Sequence, residues 1–326
     1  MIESIKIENF RCFSELEVHG LKPVNILVGD NASGKSAFLE ALYMVLEGLP
    51  LNSFPLREWR QMGLPDRSAQ ESSQIWDDLF HNYDSNKEIS ILAEDRITLR
   101  IYRDSSGVKF DRFSDTGEPG LPSPGRKPFS ISFTRAELSV PATCEYLGPH
   151  SLHAPQWLAS RFSDLSKEGE TAPILDALRS EYPFLRDLSL ELDAGNPSVF
   201  ASIEGSKRKF PAALVSDGFN KLLSILLSVA CTSNGTLLID QIEDGFYFKK
   251  MPSIWKIIHG FAKENATQIF ATTHSQECLS ALLPVLEANE DDFALIRASR
   301  LDNSIKFSVN NGRRFASALS QEFELR

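Results

Sequence analysis

The chain has 326 residues, of which 42% are hydrophobic, and a formal charge of −10. This length allows one large domain or two lobes around a full apolar core. The acidic balance argues against a protein that coats nucleic acid over its whole surface, yet it permits a local basic patch on one face.

No run approaches the roughly 18 apolar residues of a membrane span, and the chain opens on strand-like alternation instead of a signal peptide. Cys12, Cys144, Cys231 and Cys278 form no CxxC pair. The expectation is a cytoplasmic protein with reduced thiols, no membrane partner and no zinc site or disulfide framework.

In chain order, Ser4 to Phe10 alternates Ile5 and Ile7 with polar residues, and Leu16, Val18 and Leu21 continue the pattern. These predict two strands forming a β-rich edge beside the strand that follows. Asn25-Ile26-Leu27-Val28 has the apolar run of a buried parallel strand, and Phe38, Leu39, Leu42, Val45 and Leu46 recur at helical spacing after it. Between the two lies Gly29-Asp30-Asn31-Ala32-Ser33-Gly34-Lys35-Ser36, a complete GxxxxGK[ST] phosphate loop. In that setting the backbone N–H groups of residues 29 to 37, Ala37 included, and the positive helix end should cradle nucleotide phosphates. Lys35 should reach the β and γ phosphates, and the Ser36 hydroxyl should reach Mg²⁺.

Residues 50 to 87 read as polar and irregular. Ile89 to Leu92, Ile97 to Tyr102 and Val108 to Phe113 predict short antiparallel strands, and the proline-rich stretch from Gly117 to Pro128 predicts a loop. Residues 155 to 192 are expected to be helical, through Ile174, Leu175, Leu178 and Leu185, followed by a strand at Val199 to Ile203. A second α/β stretch starts near residue 216. It comprises an apolar helix (Leu222, Leu223, Leu226, Leu227), strand Thr236 to Ile239, helix Ile254 to Phe261, strand Gln268 to Thr272, helix Cys278 to Leu286, strand Phe293 to Ile296, and a last strand and helix. No sustained heptad separates the two halves, so a coiled-coil arm is excluded. The whole predicts one composite unit: residues 1–48 carry the phosphate loop, 49–205 form an insertion and helical lobe, and 206–326 carry the remaining nucleotide chemistry.

Gly235-Thr236-Leu237-Leu238-Ile239-Asp240 is an apolar strand ending in an acid, the form of a Walker B element whose carboxylate supports Mg²⁺. Ser216-Asp217-Gly218 stands upstream at a helix start, where Ser216 can also serve as an N-cap. Thr272-Thr273-His274-Ser275 stands downstream at a strand end. The set resembles the ABC-type ATPase heads of the SMC/RecF/OLD group, in particular the overcoming-lysogeny-defect type. Ile7-Glu8-Asn9-Phe10-Arg11-Cys12-Phe13 is similar to their I-x-N-F-R-x-F opening, and Asp240-Gln241-Ile242-Glu243-Asp244-Gly245 to their D-E-I-E-N-G. The resemblance covers residues 1–48 and 205–300 and is weak between them.

It implies an α/β P-loop fold of the ABC/SMC-head type: a mixed sheet flanked by helices, with an antiparallel β edge and an inserted helical and β region. It further implies ATP and Mg²⁺ as cofactors and an ATP-dependent homodimer or higher oligomer. In that dimer Ser216, Asp217 and Gly218 of one copy meet the nucleotide held by the other. His274 would be the switch histidine near the γ-phosphate, and Arg11 would lie close to the phosphates.

The family's residue after the Walker B aspartate is normally glutamate, the base for the attacking water, whereas this chain has Gln241. A neutral amide accepts no proton at pH 7, so hydrolysis should be slow while binding and dimerisation survive. Either the natural protein is a nucleotide sensor with weak turnover, or the chain carries a Glu-to-Gln exchange of the kind used to trap ATP. Glu243 is a substitute candidate for the base.

His150 and His153 have HxxH spacing without a third ligand, and Glu290-Asp291-Asp292 reads as a solvated loop. So do the basic clusters Lys207-Arg208-Lys209 and Arg313-Arg314. The stretch after His274 is too short for the fused TOPRIM nuclease of longer OLD proteins. The expected output is therefore control of a separately encoded effector, a nuclease or toxin in anti-phage defence. A DNA-gripping repair clamp of the RecF kind and a scaffold using ATP structurally are the alternatives.

Overall fold

The computed structural model describes residues 1–47, 73–94, 96–105, 107–114, 144–148, 155–301 and 304–320. The expected loop at 117–128, the His150/His153 pair and most of the irregular stretch after residue 50 lie outside them.

A six-stranded sheet forms the centre, in the order β14-β13-β3-β12-β11-β7. Strands β3 (Val24–Gly29), β7 (Cys144–Leu147), β11 (Thr236–Ile239), β12 (Gln268–Thr272) and β13 (Phe293–Leu301) run parallel, and β14 (Ser304–Asn311) closes one edge antiparallel to β13. β3, β11 and β12 are buried at every position, as expected of parallel strands covered on both faces. Because side chains alternate, each strand feeds two cores. Val24, Ile26, Val28, Leu237, Ile239, Ile269 and Ala271 face one core, while Leu27, Leu238 and Phe270 face the other.

The second core is covered by α1 (Lys35–Glu47), which is buried at eleven of its thirteen positions. That helix lies between the central sheet and a second, antiparallel sheet, which explains why it is buried nearly all round. The second sheet has the order β2-β1-β4-β5-β6, formed by β1 (Ser4–Phe10), β2 (Phe13–His19), β4 (Ile89–Ala93), β5 (Ile97–Asp104) and β6 (Gly107–Ser114). The N-terminal strands thus belong to a sheet of their own instead of flanking β3. The three short strands expected between residues 89 and 113 complete it, pairing Ile5 with Ala93 and Ile7 with Ile91.

The first core is covered by helices α2 (Pro155–Glu168), α3 (Ala172–Glu181), α4 (Asp217–Cys231), α5 (Met251–Glu264), α6 (Gln276–Ala288) and α7 (Gly312–Ser320). A third sheet packs beside them, formed by β8 (Leu185–Asp193), β9 (Asn196–Ile203) and β10 (Phe210–Pro211). Residues 185–192 are therefore a strand, contrary to the expected continuation of the helix. Leu188, Leu190 and Leu192 alternate with polar residues, and the hairpin partner β9 offers Ala201, Val199 and Pro197 opposite them. Period-two pairing with a neighbouring strand overrides the helical spacing that Leu178 and Leu185 suggested.

Candidate functional site

β3 ends at Gly29 and α1 begins at Lys35, so the phosphate-loop sequence forms the turn from a central strand into a buried helix. Two glycines make that turn possible. Gly29 has φ +138° and Gly34 φ +95°; a Cβ at Gly29 would overlap the Ala298 carbonyl oxygen, and one at Gly34 would lie 2.9 Å from the Phe13 ring. Asp30, Asn31 and Ala32 are exposed, Ser33 and Ala37 are buried, and Ser36 is half-buried. The Lys35 ammonium donates to the carbonyl oxygens of Gly29 and Asp30, each at 2.8 Å, and lies 3.4 Å from Ser33 Oγ. Burial lowers its pKa, opposed by the carboxylates of Asp240, Asp30 and Glu243. Lys35 and the Walker B acid, remote in sequence, therefore share one electrostatic environment.

Asp240 follows the last residue of β11 and is 6% exposed. Thr272 Oγ1 donates to its Oδ1 at 2.5 Å, and the Tyr146 hydroxyl donates to Oδ2 at 3.2 Å. The next residue, Gln241, has φ +55° and donates its backbone N–H to the same Thr272 oxygen at 2.8 Å. One threonine hydroxyl thus fixes both the acid and the backbone of the residue after it. A non-glycine residue held at positive φ carries strain on the order of 1 kcal/mol, and such positions cluster at functional sites.

Glu243 Oε1 accepts the His274 backbone N–H at 2.8 Å, and its Oε2 is buried without a hydrogen-bond partner. The strand-end segment 272–275 and the turn 240–245 are therefore tied together twice, by Thr272 and by His274. Ser275 then caps α6, its Oγ accepting the Cys278 N–H at 3.1 Å. Glu243's charge, after burial, contributes to pushing the Cys278 thiol up to about 12.

Ser216 is the N-cap of α4, its Oγ accepting the Phe219 N–H at 3.1 Å. Gly218 packs directly on the turn after Asp240: a Cβ there would lie 2.9 Å from the Gly245 carbonyl oxygen, and Gly245 itself has φ +85°. Asp217 sits against Gly245 in the same contact. The Ser216–Gly218 segment and the segment 240–245 thus form one continuous surface. One turn along α4, Lys221 is 7% exposed. Burial lowers its pKa, and the negative charges of Asp244, Asp240 and Glu243 counter that shift.

Arg11 makes a different kind of contact. Its Nε lies 2.6 Å from Oε2 of Glu40, a fully buried acid on α1, and its Nη1 lies 4.0 Å from Asp78. It ties the β1–β2 turn to the helix that carries Lys35.

Sequence reading named the loop, Asp240, Gln241, Glu243, His274 and the Ser216 segment, and missed three participants. Thr272 was visible only as part of a strand end. Lys221 carried a signal, a charge inside the otherwise apolar run from Phe219 to Leu223. Tyr146 carried none, since it arrives through the parallel pairing of β7 with β11.

Members of the other charged clusters form ion pairs away from the phosphate loop. Asp292 accepts hydrogen bonds from Lys263 and His259, each at 2.9 Å; Lys209 pairs with Glu191 at 2.6 Å, and Arg313 with Glu290 at 3.5 Å. Among the described residues no group of three or more His, Cys, Asp or Glu is placed to hold a metal. The donor set at the cleft, one carboxylate with neighbouring hydroxyls, fits a hard cation such as Mg²⁺, which keeps several waters and takes few protein ligands. No helix among the described residues is long and apolar enough to cross a membrane.

A glycine-turned loop from a central parallel strand into a buried helix, with a fixed aspartate two strands away, defines an α/β P-loop domain with the fold of SMC heads. Solved structures share the architecture. The SMC head bound to the C-winged helix domain of ScpA aligns with a TM-score of 0.59 over 96% of this chain and 99% of its own, at 15% identity. The Pyrococcus furiosus-derived Smc head with an extended coiled coil, bound to the C-terminal domain of ScpA, aligns with a TM-score of 0.57 over 98% of each chain, also at 15% identity.

The chain belongs to the family described as "AAA domain, putative AbiEii toxin, Type IV TA system", which matches residues 24–280. A curated relative, an "ATP/GTP phosphatase" of Helicobacter pylori, is 22% identical, and the match covers 90% of each chain. The RecF DNA replication and repair protein of Nitrosococcus oceani is 41% identical over 63 residues, covering 19% of this chain and 17% of its own. Nucleotide binding and ATPase chemistry are the family's common ground, with Mg²⁺ as its usual ion.

Proposed function

We propose that this chain is an ATP-driven switch of the OLD type. Two copies close around two nucleotides, and the closed pair controls a separately encoded effector, a nuclease or toxin of an anti-phage system. The observation that carries the reading is the joint placement of Lys35 and Asp240, with Asp240 held by Thr272 beside Gln241. Support for the defence role comes from the family's description as a toxin–antitoxin ATPase domain. Support for nucleotide hydrolysis comes from the relative named as an ATP/GTP phosphatase.

In this reading residues 29–37 bind the triphosphate, Lys35 exchanges its carbonyl partners for phosphate oxygens, and Ser36 and Asp240 hold Mg²⁺. Held there, the ion would supply positive charge to offset the negative charge of the phosphates. The surface formed by the exposed Ser216, Asp217 and Gly245 and the half-buried Gly218 meets the nucleotide of the second copy, while Arg11 braces the loop helix from behind. His274 and Glu243 read the γ-phosphate side through their shared backbone hydrogen bond.

Gln241 orients water but cannot take its proton, so turnover is slow, with Glu243 as the substitute carboxylate. General-base assistance is worth about 10²- to 10⁴-fold. Steady-state hydrolysis by Gln241→Glu tests this directly: a rise of about two orders of magnitude is expected, and an unchanged background rate would favour a scaffold role. Light scattering with and without ATP tests the closing step, and Lys35→Ala should stay monomeric.

A second reading, a DNA-gripping clamp, is favoured by the RecF segment match. Salt-dependent duplex binding by the isolated protein would support it, because phosphate contacts release counterions. No binding at low salt would exclude it.

A further inference from the structure

β7 is the edge strand of the central sheet, and it reaches Asp240 twice. The Leu147 carbonyl accepts the Asp240 backbone N–H at 2.8 Å, and the Tyr146 hydroxyl donates to Oδ2 at 3.2 Å. Two helices pin the strand in turn. The Cys144 N–H donates to Oε1 of Glu47, the last residue of α1, at 2.9 Å, and the buried Glu145 carboxylate pairs with Arg161 of α2. The Tyr146 ring is 5% exposed and stands edge-on to Tyr43 of α1, with centroids 6.2 Å apart. Strand and ring together therefore aim the hydroxyl.

That hydroxyl completes a two-point hold on the acid. Thr272 Oγ1 donates to Oδ1 and Tyr146 to Oδ2, so each carboxylate oxygen carries one hydroxyl. Rotating the carboxylate about its Cβ–Cγ bond breaks one of the two bonds. A carboxylate accepts at roughly four lone-pair sites; with two taken and the plane fixed, the remainder point in set directions. Cations differ in what they ask of such a ligand. Mg²⁺ demands near-ideal octahedral geometry at about 2.0–2.1 Å, whereas Ca²⁺ takes about six to eight oxygens at about 2.3–2.6 Å in flexible geometry, with carboxylates mono- or bidentate. A carboxylate held in one plane suits the first ion, and one free to turn also suits the second.

We propose, on the reading of Asp240 as the ion's ligand, that Tyr146 is the positioning residue that makes the cleft prefer Mg²⁺ to a larger divalent cation. Asp240 supplies the charge, and Tyr146 acts only through it, by holding its orientation together with Thr272. Without the phenol oxygen the acid keeps a single side-chain tether and can turn to follow a larger ion.

The test is calorimetric titration of the slowly hydrolysed analogue AMPPNP into the full chain with MgCl₂, with CaCl₂ and with EDTA. Wild type should bind the analogue more tightly with Mg²⁺ than with Ca²⁺. Tyr146→Phe keeps the ring against Tyr43, so its melting temperature should stay within a few degrees and its affinity in EDTA should not move. Its Mg²⁺-over-Ca²⁺ preference should fall at least about threefold, the effect of one lost hydrogen bond. A full preference in Tyr146→Phe, or none in wild type, would overturn the proposal. Asp240→Asn separates it from the reading beneath: that variant should lose the affinity that either ion adds over EDTA. If it does so while Tyr146→Phe keeps the preference, Tyr146 only packs and the ligand assignment stands. If Asp240→Asn keeps the added affinity, the assignment falls and the proposal falls with it.

Discussion

The two halves of the nucleotide cleft are built on different principles. The phosphate-loop half is local: Gly29, Gly34 and Lys35 lie within one strand–turn–helix unit, and the lysine's partners are backbone carbonyls of its own loop. The Walker B half is assembled. Asp240 depends on Tyr146 from β7 and Thr272 from β12, Glu243 on the backbone of His274, and Lys221 arrives from α4. A half made from backbone tolerates little change but needs few residues. A half made from side chains draws its members from several elements, so it depends on how those elements pack.

The sharpest way to break this contrast is at the loop. Gly29→Ala forces a Cβ onto the Ala298 carbonyl at a φ that L-residues rarely adopt. It should cost about 3 kcal/mol of stability and abolish nucleotide binding, read by chemical denaturation and by calorimetry with ATP. Lys35→Ala should leave the fold measurable but weaken ATP by about two orders of magnitude or more, since it removes the one buried cation of the loop. Retained ATP affinity in that variant would sink the nucleotide assignment altogether.

On the assembled side, changes should alter turnover before they alter binding. In a Gln241→Glu background, Glu243→Gln should leave most of the gained rate if Glu243 only holds His274, and remove about tenfold or more if it takes the proton. Thr272→Val deletes the hydroxyl that serves Asp240 and Gln241 together. A loss of about 1–3 kcal/mol is expected, together with a weaker Mg²⁺ requirement in the ATP titration. A neutral outcome would mean the assembled half is not held by that hydroxyl.

The smallest effect is expected far from the cleft. Burial would raise the Asp292 carboxyl, but hydrogen bonds and charge from Lys263 and His259 outweigh it and hold it below the usual carboxylate range. A carboxyl lowered on folding contributes stability above its ordinary value near 3.8, and that contribution is lost as pH falls through the lower folded value. Asp292→Asn should therefore cost at most about 1 kcal/mol at neutral pH, because the site is partly solvated, and nothing below the folded value. Denaturation midpoints compared at neutral and strongly acidic pH check the sign, and ATP affinity should not move.

Most elements of the second half were legible because each combines a strict period with punctuation. The strand Thr236–Ile239 ends at an acid, and α4 starts at a capping serine and runs on through Leu222, Leu223, Leu226 and Leu227. Residues 185–192 were misread because an alternating strand containing four leucines also matches helical spacing when no partner is known, and β9 supplied the partner. Strands β1 and β2 were recognised, but their sheet was not, because antiparallel neighbours such as Ile7 and Ile91 are joined across α1 and a long connection.

The amino-acid sequence alone determined the phosphate loop, the strand that ends at Asp240 and the Gln241 that follows it, since these depend on residue types at fixed short spacings. Tertiary structure alone decided which distant side chains hold Asp240, that Lys221 is buried near three carboxylates, and that Arg11 spends its charge on Glu40. Local spacing fixes backbone geometry within a turn or two. Contacts between strands and helices far apart in sequence are set by how the sheets pair and pack, and no short-range pattern records that.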